Sequence, residues 1–572
     1  MKAGPALETD KWRKIRPETL LFAAVFFVVL YLAVVPLGFL LWNTFVIDGS
    51  LTLSNVREAF GGTIGIGQLA WNTSRYAIGS TIVSLSLATV LAYLAVRTDV
   101  PFRRLIFIST LVPLIVPGIL HTISWIFLAS ERSGWLNNFI GLWFDWSPFN
   151  IRSMAGMIWI EATNQLPLLF LFMYAAFRSM DPALEESALS HGASMPRVLR
   201  SVTLPVLKPS LLSAAFISIV LALESFEGPA LVGMPAGILV FTSRIFMLLR
   251  QFPPEYGQAG AFSTVLVVLM AFGVFAYSRL GRSTAGETIT GKGFRPRRYE
   301  LGPWRIPVGI AVLVYLILTT ALPLAVLILM SFQKFYAPPT AETLGNLTVE
   351  NYAYTFNNPD VLGAFFNSLV LSTGAATVVM LLMVVAAWLV VRSRIRGAWS
   401  LDAISFLPIA IPGIVMGVAL LVAYLYIPIP VYGTLWILLI AYCTRYMPYG
   451  MRYGTASMHQ IGGELEEAAK TSGASTLQTL GRVVLPLVMP GFIAGWIFIV
   501  MSAIRELSSS ILLYAPETRV LGVVIWDLWE TGLVTELAAA GVVMMFLLAL
   551  VALLAKLLGD RFGVQGDSGP RL

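Results

Sequence analysis

The sequence predicts an all-α polytopic membrane protein with about twelve transmembrane helices, arranged as two parallel repeats of six. Of its 572 residues, 57% are hydrophobic and only 12% are charged, whereas charged residues make up about a quarter of a soluble protein. The mean hydropathy is +0.79. Apolar runs of membrane-spanning length lie on both sides of one polar junction, and one polar sequence occurs once in each half.

Each apolar run is long enough to cross a bilayer as a helix. The first run exceeds the length of a signal-peptide core and has no small-residue cleavage site, so we expect it to be retained. The runs lie at about 20–45, 76–96, 105–128, 154–177, 211–231, 262–280, 307–330, 368–391, 404–426, 435–451, 490–512 and 537–558.

The repeated polar sequence is LEESALSHGASMPRVLRSVTLPVLKP at 184–209 and LEEAAKTSGASTLQTLGRVVLPLVMP at 465–490. The two copies align without a gap at an offset of 281, since 467 − 186 and 486 − 205 both give it. Each copy predicts a short helix rich in small residues, a turn at glycine, and a Leu-Pro that begins the next helix.

Two further motifs return at an offset of 295. PLIVPGI at 113–119 reappears as PIAIPGI at 408–414, and Trp71-Asn72-Thr73 reappears as Phe366-Asn367-Ser368. Both halves have an even number of predicted spans, so they form a parallel repeat about an axis along the membrane normal. The interface between the halves is therefore the expected place for a transport path.

The spacing within the polar repeat resembles the EAA loop, by which the membrane subunits of binding-protein-dependent ABC importers dock onto their ATPases. An amphipathic connector is the alternative interpretation, but two gapless copies favour the EAA loop. The resemblance implies a fused permease with the type I importer fold, two ATP-binding subunits on the cytoplasmic side and an extracytoplasmic substrate-binding protein. The residues that it implies for ATPase coupling are Glu186, Ala188, Gly192, Leu204 and Pro205, and Glu467, Ala469, Gly473, Leu485 and Pro486.

Basic residues indicate the orientation. They cluster in the N-terminal tail, at alternate connections including both EAA loops, in the junction and near the C-terminus. The positive-inside rule then places all of these in the cytoplasm of a bacterium, with the chain in the inner membrane. The formal charge of +7 is therefore a topology signal rather than a sign of nucleic-acid binding. We divide the chain into repeats at 1–280 and 306–572, joined by a cytoplasmic linker at 281–305.

The residues favour a transport subunit over an enzyme. Cys443 is the single cysteine, which excludes an internal disulfide and a cysteine-based metal site. GETITGKG at 286–293 approaches a phosphate-binding loop, but Gly293 stands where a magnesium-binding Ser or Thr is needed and no strand precedes it. We expect no cofactor and no bond chemistry, with energy supplied by a separate ATPase; the metal ligands, if any, are undetermined. An ion-coupled secondary transporter and a membrane-embedded enzyme are alternatives of other classes.

Fused permeases with two EAA loops resemble the iron(III) importers most closely, and thiamine, polyamine and phosphonate permeases remain alternatives. A ferric ion favours oxygen ligands, and several acids in or near the predicted spans could provide them. The residues that we expect along the translocation path are Glu161, Glu224, Glu227, Arg445, Arg505 and Glu506.

One pair of these residues has a specific predicted geometry. Glu224 and Arg505 correspond in the gapless alignment, since 505 − 224 = 281. A pseudo-twofold axis would place them opposite each other with opposite charge, and ionisable groups inside a membrane usually mark a pathway. We therefore predict a Glu224–Arg505 salt bridge that closes or lines the path.

The orientation is testable by cysteine labelling. In a Cys443-free background, Ser194→Cys and Ser475→Cys should react with a membrane-impermeant thiol reagent only from the cytoplasmic side, because both positions lie between positive-inside charges. Labelling of either position from outside would overturn this orientation.

Overall fold

The computed structural model describes residues 17–62, 65–144, 146–284, 298–393 and 395–561. These residues are mostly helical, and the two strands among them, β1 (Val46–Ile47) and β2 (Ser50–Leu51), form one small antiparallel hairpin. The all-α polytopic class is therefore confirmed. The stretch 286–293 that approaches a phosphate-binding loop lies outside the described residues, as does most of the linker.

The helices of the first half are α1 (Pro17–Phe45), α2 (Ser54–Gly61), α3 (Ile66–Arg97), α4 (Arg103–Leu111), α5 (Gly118–Ala129), α6 (Trp135–Gly141), α7 (Met154–Ser179), α8 (Ala183–Ser190), α9 (Met195–Val198), α10 (Leu204–Glu224), α11 (Phe241–Arg250) and α12 (Tyr256–Thr284). Short 3₁₀ or π turns occupy Val112–Leu114, Leu199–Thr203, Pro229–Gly233 and Met234–Ala236.

The helices of the second half are α13 (Arg305–Leu316), α14 (Leu322–Ser331), α15 (Ala341–Gly345), α16 (Glu350–Asn357), α17 (Pro359–Arg392), α18 (Trp399–Phe406), α19 (Gly413–Tyr426), α20 (Leu435–Gln460), α21 (Glu464–Thr471), α22 (Thr476–Thr479), α23 (Leu485–Ile504), α24 (Ser510–Leu513), α25 (Leu521–Glu530) and α26 (Val534–Arg561). Short 3₁₀ or π turns occupy Gly302–Trp304, Ile317–Ala321, Leu407–Ala410, Leu480–Val484 and Pro516–Thr518.

Eight helices of the described residues are long and apolar enough to cross a membrane, or eleven spans if each of three bent helix pairs counts as one. All twelve predicted runs coincide with helices, but the runs at 154–177 and 435–451 fall on α7 and α20, which do not meet that test of length and apolarity. Each helix carries one charged residue inside the protein, Glu161 on α7 and Arg445 on α20, which lowers its mean hydropathy.

The third bent pair corrects the sequence analysis. Pro229–Ala236 and Phe241–Arg250 pack at 80° to each other, although most of this stretch was expected to be a connection outside the spans. Proline is the first residue of one short turn and the second residue of the other, and Gly237 has a φ of +70°, so the helix is broken repeatedly. The same breaks end the span before this pair, α10, at Glu224, whereas the sequence analysis placed the end of that span at about residue 231.

The PLIVPGI and PIAIPGI motifs form the other two bends. The chain turns by 108° between α4 and α5, and by 106° between α18 and α19. Pro117 and Pro412 stand immediately before α5 and α19 in an extended conformation, as a residue that starts a new helix should. The duplicated sequence therefore encodes a duplicated corner.

The repeated asparagine motif attaches α3 and α17 to the segments that follow α10 and α23. Asn72 donates to the Leu239 carbonyl at 3.1 Å, and Asn367 donates to the Arg519 carbonyl at 3.0 Å. Next to them, the Thr73 and Ser368 hydroxyls accept the backbone N–H groups of the first residues of α11 and α25. The same bonds thus brace equivalent corners in both halves.

The first helix of each half packs against the other half. Helix α1 lies along α18 and α19, with the Tyr31 and Tyr424 hydroxyls 2.7 Å apart. Correspondingly, α13 and α14 lie along α4 and α5, where a Cβ at Gly309 would come within 2.4 Å of Pro101. The halves are interlocked by these exchanges, and the surface that they enclose lies between α7, α10, α20 and α23.

Candidate functional site

A cavity of about 320 Å³ lies between the two halves. Its walls are formed by α7, the end of α10 and the residues after it, α20, and the end of α23. Its polar lining consists of Glu161, Asn164, Gln165, Glu224, Ser225, Glu227, Arg445, Tyr446, Tyr449, Ser502, Arg505, Glu506 and Ser508. All six residues that the sequence analysis expected along a translocation path therefore face one space, and their role in translocation remains a prediction.

Arg445 connects the two halves across this cavity. Its guanidinium binds the carboxylate of Glu224 at the end of α10, and its Nε lies 2.9 Å from Oε2 of Glu506. Glu506 also accepts the Ser509 N–H and hydroxyl, each at 3.0 Å, and the Tyr446 hydroxyl at 3.3 Å. One cation is thus shared by two carboxylates, one from each half, and offsets half of their formal charge.

The predicted Glu224–Arg505 salt bridge is wrong, because a different arginine pairs with Glu224. Glu224 pairs with Arg445, and Arg505 donates instead to the backbone carbonyl of Leu114. The alignment places positions 224 and 505 correctly on opposite sides of the cavity, but α23 ends at Ile504. Arg505 is therefore the cap of its helix rather than a residue within a longer span, and its side chain turns toward the bend after α4.

Glu161 is held by neutral donors. Its carboxylate accepts the Ser225 hydroxyl at 2.7 Å, the Tyr76 hydroxyl at 2.9 Å and the Gln165 amide at 2.6 Å. The carboxylate is buried, with 3% of the residue exposed. Buried charge that lacks a cation needs such hydrogen bonds to offset the loss of hydration.

The two sharp bends bring helix N-termini to the cavity wall. A Cβ at Gly118 would lie 3.6 Å from the Glu227 carboxylate carbon, and a Cβ at Gly413 would lie 2.5 Å from Nη1 of Arg445. The first glycine of each PGI motif thus leaves room for a charged side chain beside the corner. The sequence analysis found these motifs as repeats but did not connect them with the site.

An aromatic cluster with an adjoining ion pair joins the two halves next to the cavity, where Phe226 lies between the lining residues Ser225 and Glu227. Phe226 stacks on Trp526 with ring centroids 5.7 Å apart, and Phe246 meets Trp526 edge-on at 5.5 Å. Beyond these rings, Arg250 donates to Glu530 at 2.7 Å. We call these five residues the outer layer; it joins α11 of the first half to α25 of the second.

The EAA loops have the same conformation in both halves. In each, a short helix (α8 or α21) is followed by a glycine with positive φ, +81° at Gly192 and +86° at Gly473. A second helical turn then leads through a π turn into α10 or α23, where Leu204-Pro205 and Leu485-Pro486 form the first positions. The sequence analysis predicted both the glycine turn and the restart of the helix at Leu-Pro.

Each EAA loop is attached to the end of a long helix earlier in its half, α3 or α17, by an ion pair that the sequence analysis did not identify. Glu466 lies 3.2 Å from Nε of Arg392 and accepts the indole N–H of Trp388 at 3.0 Å. In the first half, Glu185 lies 3.7 Å from Arg97 and accepts the Thr203 hydroxyl at 2.7 Å. The signal was present, because the acids repeat at an offset of 281 and the arginines at 295.

The neighbouring acids differ from these anchors. Glu467 is exposed and Glu186 is half-buried, whereas Glu185 and Glu466 are buried. Ala188 and Ala469 are half-buried on the same helices, and Leu184 and Leu465 each expose about half of their surface. The adjacent glutamates therefore divide into one that faces the protein and one nearer the surface. Among the described residues, no group of three or more His, Cys, Asp or Glu side chains could hold a metal ion.

Comparisons with known proteins agree with the duplication. The family described as "Binding-protein-dependent transport system inner membrane component" matches residues 80–284 and 383–563, once in each half. The ferric transport system permease protein FbpB of Actinobacillus pleuropneumoniae is 24% identical over 496 residues, which cover 84% of this chain and 69% of that protein. The Fe(3+)-transport system permease protein FbpB 2 of Haemophilus influenzae is 22% identical over 466 residues, which cover 80% of this chain and 84% of that protein. The spermidine/putrescine transport system permease protein PotC of Escherichia coli is 28% identical over 222 residues, which cover 39% of this chain and 83% of that protein.

The buried anchor of the second EAA loop yields a stability prediction. Glu466→Gln keeps the shape of the side chain but leaves Arg392 without its carboxylate, and breaking a buried pair from one side costs about 3–5 kcal/mol. Because Arg392 is partly exposed, we expect the lower end of that range. Glu467→Gln is the matched control and should change stability by less than about 0.5 kcal/mol. Thermal unfolding of the two purified variants compares them, and equal midpoints would contradict the anchor.

Proposed function

The chain belongs to the family of binding-protein-dependent transport system inner membrane components and is the permease of an ABC importer; on this premise, we propose that it imports iron(III) through the cavity between its halves. The observation that supports this most directly is the lining of the cavity, in which four glutamates face two arginines. Carboxylate oxygens suit a hard cation such as iron(III).

Relatives also favour iron(III) over the other substrates considered. The two ferric transport permeases match across both halves of this chain, whereas the polyamine permease matches over less than half of it. Thiamine, polyamine and phosphonate remain the alternatives within the family. An ion-coupled secondary transporter, the alternative of another class, would not need the EAA loops.

Alternating access follows from the two ends of the cavity. In this proposal the outer layer closes one end, while the lining continues along α10 and α23 toward the EAA loops, for example at Leu221 and Phe498. A 21-residue helix is about 30 Å long, so α10 reaches from its EAA loop to Glu224 at the cavity. Movement of a loop would therefore be transmitted directly to the cavity wall.

The EAA loops are the proposed docking sites for two copies of a separate ATP-hydrolysing subunit, one at each loop. Glu186 and Glu467 would be the acidic contacts, with Gly192 and Gly473 shaping the turn. In this proposal the termini, the linker at 281–305 and both loops lie in the cytoplasm, the repeats span 1–280 and 306–572, and a substrate-binding protein docks on the opposite face.

Reconstituted transport tests the proposal. Proteoliposomes that contain the permease and its ATPase should take up radioactive iron(III) from a loaded binding protein, and should need ATP to do so. Glu186→Lys and Glu467→Lys should each lose uptake and ATPase association without loss of membrane insertion, because they reverse charge at a surface. The matched control is Glu464→Lys, which lies on α21 where the first copy has Ala183.

Two outcomes would contradict the proposal. Uptake that persists without ATP and stops when an ion gradient is collapsed would indicate a secondary transporter. Normal uptake by both charge-reversal variants would show that the EAA loops do not couple the ATPase to the path.

A further inference from the structure

The four glutamates of the cavity divide into two that pair with an arginine and two that do not. We infer that Glu227 and Glu161, both of the first half, form the contact that selects a cationic substrate. Glu224 and Glu506 are paired with Arg445 and are therefore not available to that substrate. This assignment rests on the proposed transport function and names the residues that would give it charge selectivity.

Formal charge shows why the division matters. The cavity is lined by four glutamates and two arginines, so its formal net charge is −4 + 2 = −2. Arg445 lies between Glu224 and Glu506, and Arg505 is bound to a backbone carbonyl rather than to an acid. The negative charge that is left without a cation partner therefore lies mainly on Glu161 and Glu227.

Arg445 occupies the place that a cation would take between Glu224 and Glu506. Its Nη1 is buried and has no acceptor among the described residues, and it fits there because residue 413 is a glycine. A guanidinium held in this way excludes a second cation by charge repulsion. Removing it would create an additional acidic site rather than destroy one.

Glu161 is held in one orientation. Three neutral donors bond to its two oxygens. Its position is also set, because Tyr76 and Ser225 come from two other segments of the first half and their hydroxyl oxygens lie 3.0 Å apart. A cation that reaches the cavity thus meets an oriented carboxylate.

Glu227 completes the pair. It follows Ser225 by two residues, lines the cavity and is half-buried, and no side chain in the described ranges forms an ion pair or hydrogen bond with it. The N-terminus of α5 at Gly118 lies beside its carboxylate, and a helix N-terminus stabilises negative charge there. Since the next residue, Gly228, lies against the Tyr76 hydroxyl, Glu227 stands on the same wall as Glu161.

Terbium(III) is a suitable probe, because it is a hard trivalent cation and becomes luminescent when a nearby tyrosine transfers energy to it. Tyr446 and Tyr449 line the cavity and can serve as the donors. The purified full-length permease in detergent should show a saturable Tb³⁺ signal. Glu227→Gln and Glu161→Gln should each weaken its binding by about 10–100-fold, the usual effect of losing a group that supports a metal site.

Arg445→Gln should change binding in the opposite direction. It releases Glu224 and Glu506 and should therefore tighten Tb³⁺ binding. Glu342→Gln, an exposed acid on α15, is the control for binding to surface carboxylates and should leave the cavity signal unchanged. Gel filtration verifies that each variant is folded, and if Arg445→Gln does not fold, the two glutamate variants decide the question.

The outcomes separate this inference from the proposed function. Unchanged Tb³⁺ affinity in Glu227→Gln, or weaker binding in Arg445→Gln, would overturn the inference even if the wild-type protein transports iron. Conversely, the expected pattern of Tb³⁺ affinities together with absent iron uptake by the wild-type protein would uphold the cation site and refute iron(III) as the substrate.

Discussion

The burial of charge between the two halves is the constraint on which the rest of the structure depends. Carboxylates that leave water must gain a cation or several hydrogen bonds, and the four acids at this interface are stabilised in three different ways. Arg445 serves Glu224 and Glu506, neutral donors serve Glu161, and a helix N-terminus lies beside Glu227. The bends at the PGI motifs and the breaks after α10 and α23 are the backbone features that make these arrangements possible.

Buried carboxylates are also paired with cations at the EAA loops, which lie about 30 Å from the cavity along α10 and α23. There, an ion pair attaches each loop to a long helix of its own half. Arg97 at the end of α3 pairs with Glu185, and Arg392 at the end of α17 pairs with Glu466. A buried ion pair loses much of its energy if one partner is displaced, so each loop and helix should move as one piece. Force applied at the loops would then reach the cavity through continuous helices rather than through flexible connections.

Features that occur in both halves of the chain could be predicted from the sequence. Alignment of the chain with itself gave the two polar repeats and their turns at Gly192 and Gly473, a family resemblance identified the repeats as EAA loops, and composition with the apolar runs gave the all-helical class. The partner of Glu224 could not be obtained in this way, because symmetry relates positions and not side-chain directions, and Arg445 has Asn164 as its counterpart in the first half. The bent pair at 229–250 was missed because its apolar composition is that of an interrupted span, and only the spacing of its prolines and glycines distinguishes it.

The proposed alternating access requires the two halves to separate at the outer layer when the cavity opens on that side. It is tested most directly by joining Arg250→Cys and Glu530→Cys, in a Cys443→Ser background, with a short cleavable thiol cross-linker. The account predicts that the cross-linked permease in proteoliposomes with its ATPase loses ATP-driven uptake and regains it when the linker is cleaved. Undiminished uptake by fully cross-linked protein would show that the path does not open between these residues.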